Sequence, residues 1–194
     1  MKYYPELVSL GCFRIEDLKS ITGSEAAAKA LSRAYRKKGY IQTVRKNLYV
    51  AISMETNQPV PNRYEIASNI SDDAVVSYHS AFEYYGYANQ VFYDVYVTSQ
   101  SRFHDFQFDG INYRRVNPRI NNHIQQGPKG IRVSSLERTV IESIDMFEKI
   151  GGLEELLRCL QLIPSLDETA ILSCLEAYAN GFLYQKTGLI LSAF

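Results

Sequence analysis

Lys29, Arg33, Arg36 and Lys37 recur at intervals of three and four residues, with Ser32 among them. On a helix that spacing gathers them on one side, as cations with a hydroxyl between them. Ammonium and guanidinium groups in such a row neutralise phosphates, and an arginine can take both acceptors on a guanine edge. Arg45, Lys46 and Asn47 follow as a short link between two apolar runs, where a basic tip could touch phosphate or reach a minor groove. Seven of the 27 residues from Ser24 to Val50 are Lys or Arg, and Glu25 alone is acidic. The chemistry these types suggest is binding of a polyanion rather than turnover.

The whole chain is neutral, with 21 Lys/Arg and 21 Asp/Glu, so the local excess must be balanced elsewhere. Residues 1–57 hold ten basic and five acidic side chains, and residues 58–194 hold eleven and sixteen. Such a division suggests that the first part meets a polyanion. A solvated helix face is the plain alternative, and the arrangement of elements has to separate the two.

Catalytic constellations are harder to assemble. His79, His104 and His123 are scattered without a metal-ligand spacing, and His79 lies in an apolar helical run that suits a packed histidine. Ser77-Tyr78-His79-Ser80 lacks the glycines of a nucleophile elbow. Glu83, Asp94 and Asp109 could supply carboxylates to a metal-dependent nuclease, but no lysine occurs between Lys46 and Lys129 to complete such a set. No catalytic residue, metal site or cofactor is therefore expected. Arg114, Arg115, Arg119, Lys129 and Arg132 form a second, looser basic cluster, readable as a solvated strand face or as a second nucleic-acid surface.

The elements that must position these residues can be read from periodicity. Two short helices ending near Gly11 and Gly23 precede a third that Ser24 caps, with Glu25 at its positive end. Helical spacing sets Ala27, Ala30, Leu31, Ala34 and Tyr35 against the interior and the cations outward. "YIQTV" and "NLYVAI" read as a hairpin around "RKN", where Asn47 takes positive φ. The order is that of a winged helix-turn-helix over residues 1–57. The polar stretch with Pro59 and Pro61 reads as a linker to a second domain, 62–194. There Asn62, Ser77 and Ser134 are placed as helix caps, the last in a capping box with Glu137, and Asp109-Gly110 as a hairpin turn. The predicted class is α+β: a winged helix-turn-helix followed by an α+β domain.

Hydrophobic residues make up 46% of the 194 and charged ones 22%, the balance of a globular chain. Three isolated cysteines, no signal-like core and no membrane-length apolar run suggest a cytoplasmic protein with no membrane partner.

Four segments in order, "KGYIQTVRKNLYVA", "YEIASNISDDAVVSYHSAFEYYG", "VSSLERTVIESID" and "LYQKTGLILS", resemble the AbiEi antitoxins of type IV abortive-infection toxin–antitoxin systems. Asn47 stands where that family usually has a wing glycine, and the apolar run ending at Phe194 reads as shorter than the family's closing region. The resemblance implies a repressor that binds double-stranded DNA at its own promoter. It also implies an antitoxin acting without a stable complex against a nucleotidyltransferase-like toxin. A winged helix that docks protein instead of DNA is the alternative.

Overall fold

The computed structural model describes residues 2–194, and the chain forms two compact units that divide between Asp72 and Asp73. The class is mixed α and β, with one sheet in each unit.

The first unit runs α1 (Tyr4–Leu10), β1 (Cys12–Phe13), α2 (Ile15–Thr22), α3 (Glu25–Lys37), β2 (Ile41–Arg45), β3 (Leu48–Ala51) and α4 (Arg63–Ser68). Gly11 ends α1 at φ 67°, a conformation open to glycine at little cost, and its N–H returns to the Leu7 carbonyl. The chain then enters β1, a strand too short for the sequence pattern to announce. β1 pairs antiparallel with β3, Cys12 opposite Val50, and β3 pairs with β2, so the sheet order is β1-β3-β2. Between α2 and α3, Gly23 is left-handed at φ 83°, and the Ser24 hydroxyl accepts the Ala27 N–H at 3.2 Å. Leu7, Phe13, Leu18, Ala28, Tyr35, Ile41 and Ala51 form the core beneath.

The segment read as a linker is folded back on this unit. Val60 N–H bonds to the Ala51 carbonyl and Ser53 N–H to that of Gln58, while the Tyr4 hydroxyl donates to Ile52 at 2.7 Å. Pro61 is buried, and Asn62 caps α4 by accepting the Tyr64 and Glu65 N–H groups. Prolines here shape a turn rather than a spacer, and α4 lies in the first unit.

The second unit is built on a six-stranded sheet of order β6-β7-β5-β4-β9-β8. Its strands are β4 (Val75–Val76), β5 (Asp94–Thr98), β6 (Phe106–Phe108), β7 (Ile111–Val116), β8 (Ile124–Gln126) and β9 (Arg132–Ser134). β4 runs parallel to β9 and β5 parallel to β7, and the other neighbours are antiparallel. Asp109 and Gly110 turn the β6–β7 hairpin with positive φ, as their types require. Helices α5 (His79–Tyr85), α6 (Leu136–Asp145), α7 (Leu153–Leu162), α8 (Glu168–Tyr178) and α9 (Gly181–Leu191) contribute a core that includes Phe82, Val140, Ile141, Ile144, Leu156, Cys174 and Leu183. Ala179, left-handed at φ 50°, and the cap Asn180 break the last apolar run into α8 and α9.

Two expected caps are used differently. Ser77 and Ser134 do not cap helices; they join Thr98 and Glu142 in a buried hydroxyl network, with Ser134 Oγ donating to Glu142 at 3.0 Å. Ser135 caps α6 in place of Ser134, and α5 begins after Tyr78, whose φ of 56° with ψ −136° gives the side chain no capping role. Arg138 and Glu142, exposed by only 1% and 2%, close the network with a 2.6 Å ion pair. All three cysteines are unpaired, and burial pushes each thiol up to about 12. Among the described residues no helix is long and apolar enough to cross a membrane.

Candidate nucleic-acid interface

The side of α3 that faces outward differs from the one its alanines suggested. Ala28, Ser32 and Tyr35 are buried with Leu31 half-buried, whereas Ala30 and Ala34 are exposed. The helix is rotated roughly a quarter turn from the expected orientation. Methyl groups are tolerated on either side of a helix, while the Tyr35 ring must be buried; it packs edge-on against Tyr40 at 5.5 Å. Ser32 is therefore removed from the candidate contacts. Its hydroxyl is buried with no hydrogen-bond partner among the described residues, facing the core rather than a ligand.

The remaining cations of α3 are exposed. Ala26, Ala30, Arg33 and Lys37 lie along one outward line, with Lys29 and Arg36 on its flank. Lys29 Nζ is 2.6 Å from Glu25 Oε1, so its charge is partly answered within the helix. That proximity, by hydrogen bond and then by charge, holds the Glu25 carboxyl below the usual carboxylate range. Arg36 Nε lies against the Ser32 carbonyl at 3.4 Å. Among the described residues Arg33, Arg36, Lys37 and Lys38 form no salt bridge. Cations in a last turn complement the helix dipole, worth about 0.3–1 kcal/mol each, so Arg36 and Lys37 have a structural explanation. Arg33 in mid-helix and Lys46 on the hairpin do not.

The hairpin turns on two residues, Lys46 and Asn47, with Asn47 at φ 59°, a conformation asparagine accepts more readily than most residues. Asn47 is engaged within the fold. Its Oδ1 accepts the Ile15 N–H at 3.1 Å and its Nδ2 donates to Glu16 Oε2 at 3.1 Å, fixing the hairpin tip to the start of α2. Arg45 is half-buried, and burial followed by the neighbouring Arg14 charge lowers its pKa. Lys46 is left as the exposed cation of the tip.

The second basic cluster is engaged internally. Arg114 lies 3.5 Å from Asp94 and 3.4 Å from Asp105, and chiefly the Asp94 charge raises its pKa. Arg115 bonds the carbonyls of Ser99, Gln100 and Ser101, Arg119 pairs with Asp145 at 3.0 Å, and Arg132 bonds the Ala74 carbonyl at 2.9 Å. These guanidiniums brace loops of the second unit, and Lys129 lies in the Pro128–Gly130 turn. Arg114, Arg119 and Lys129 are nevertheless exposed.

The carboxylates considered for a nuclease are likewise committed. Glu83 accepts the Phe92 N–H at 2.8 Å, Asp94 accepts from Asn112 at 2.7 Å, and Asp109 occupies the hairpin turn. His79 is fully buried, stacked on Phe92 at 3.9 Å with Nε2 3.4 Å from Glu155. Burial alone would raise the Glu155 carboxyl, but hydrogen bonds from Asn89, Gln90 and His79 outweigh it, and the net shift is downward. The cluster clamps the loop before β5. Among the described residues no three His, Cys, Asp or Glu side chains are grouped so as to hold a metal ion.

Lys38, exposed in the turn after α3, is a candidate contact that sequence reasoning did not single out, although its position just beyond Lys37 is a usable signal. No protein-family model and no curated protein sequence matches the chain.

Proposed function

We propose that the chain is a DNA-binding transcriptional regulator whose first unit is a winged helix-turn-helix. On this reading α3 is the recognition helix and the β2–β3 hairpin is the wing. The order α1-β1-α2-α3-β2-β3 with sheet order β1-β3-β2 supports it, because that topology sets an exposed basic helix beside a basic-tipped hairpin. The observation that carries the reading is the outward placement of Arg33 and Lys37 on α3 without acidic partners among the described residues. Arg33 and Arg36 are assigned to base edges, and Lys37, Lys46 and Arg45 to phosphates.

Beyond DNA binding, the four resembling segments support an antitoxin of a type IV toxin–antitoxin system. It represses its own operon in the cytoplasm, counters a nucleotidyltransferase-like toxin without binding it stably, and is not an enzyme. The second unit is assigned to neutralisation. A gel-shift with the DNA upstream of its own gene tests the regulator. A shift that weakens steeply with salt supports it, whereas no shift at low salt turns the reading toward a protein-docking winged helix. Rescue of cells making the neighbouring toxin tests the antitoxin role separately.

A further inference from the structure

The charges on the first unit are graded along α3. Toward the start of the helix, Glu25 is paired with Lys29, and the exposed Glu16 carboxylate of α2 lies near enough to feel the Glu25 charge. Toward its end stand Arg33, Arg36, Lys37 and Lys38, all exposed and, among the described residues, outside any salt bridge. Helix-turn-helix proteins commonly bring the first residues of the recognition helix to the bases. Here that end would bring two carboxylates, with one already-paired lysine, toward a phosphate wall. The other end offers four cations. The neighbouring exposed residues Ala30 and Ala34 carry nothing taller than a methyl, so the helix backbone can approach closely.

We propose that α3 meets the duplex through its C-terminal half, with Lys38 part of the contact and Glu25 holding Lys29 out of it. The proposal rests on the reading of α3 as a DNA-facing helix and adds the polarity of its docking. Phosphate neutralisation on the helix is then concentrated on Lys37 and Lys38, with Arg33 beside them at the base edges.

The test is fluorescence anisotropy of the full chain with a fluorescein-labelled duplex of mixed sequence, across a salt series. Lys37→Gln and Lys38→Gln are each expected to weaken binding about fivefold to tenfold at low salt and to flatten the log–log salt dependence by about 1. Lys29→Gln is expected to change affinity less than about twofold, and Glu25→Gln to strengthen it roughly threefold by removing a repelled carboxylate. All four positions are exposed, and circular dichroism checks that the variants fold. A loss concentrated in Lys29→Gln, with Lys38→Gln silent, would overturn the polarity while leaving DNA binding intact. If the wild-type chain shows no salt-dependent binding, the underlying reading falls and the polarity with it.

Discussion

Asn47 and Glu16 are joined across the first unit: the asparagine amide donates to the carboxylate at 3.1 Å while its oxygen caps the Ile15 N–H. One side chain thus shapes the hairpin turn, through its positive φ, and anchors that turn to a helix start. Asn47→Gly keeps the turn and loses the anchor, whereas Asn47→Ala loses both. Urea denaturation should show a loss of about 0.5–2 kcal/mol for Asn47→Gly and roughly 1 kcal/mol more for Asn47→Ala. Equal losses would mean that the turn's φ carries no strain.

Ser32→Ala should stabilise the protein. The substitution removes a buried hydroxyl that lacks a partner and installs a better helix former, a gain of about 1 kcal/mol. DNA affinity should be unchanged, because Ser32 faces the core. A loss of affinity comparable to that of Arg33→Ala would put Ser32 back on the binding face.

Within the proposed interface, Arg33→Ala or Arg36→Ala should lose roughly 1–3 kcal/mol on the operator and relax its sequence preference. Lys46→Ala should instead weaken all duplexes alike and lower the salt slope by about 1. Competition gel-shifts with operator and scrambled DNA separate the two behaviours.

Arg138 and Glu142 should be expensive to separate. Arg138→Met leaves a carboxylate buried without its partner and is expected to cost about 3–5 kcal/mol in urea unfolding. The double variant Arg138→Met/Glu142→Leu should lose less than the single one. If the double loses the sum of both singles, the pair is not coupled.

Stability should fall in acid partly through Glu155. Its folded pKa is depressed below the ordinary value of 4.5, so the carboxylate stabilises the fold above that value. The contribution is lost as pH drops from there through the lower folded pKa. Urea midpoints measured across that window should decline more steeply for wild type than for Glu155→Gln. Parallel declines would remove Glu155 from the account.

How much of this was legible varied with the kind of signal. Gly23 and Ser24 announced the break between α2 and α3, and Asn47 and Asp109-Gly110 announced their turns, because each of those conformations is demanding about residue type. The facing of α3 was not legible. Ala26, Ala27, Ala28, Ala30 and Ala34 are indifferent to burial, so hydrophobic spacing could not orient the helix, and Tyr35 decided it. Pro59 and Pro61 resembled a linker because composition does not distinguish a spacer from a turn folded back onto Ala51. Arg115 looked solvated because its partners at Ser99, Gln100 and Ser101 are close only after β5 and β7 pair. Arg138 was hidden inside what looked like an ordinary amphipathic helix start.

The three native thiols, each with its pKa pushed up to about 12, are almost entirely protonated near neutral pH. Maleimide chemistry should therefore pass over them and favour a cysteine introduced on the surface. Ala30→Cys would place a single dye or spin label on the outward line of α3 without first stripping the chain of its own sulfur. The first unit thus comes prepared for distance and quenching measurements on whatever it binds.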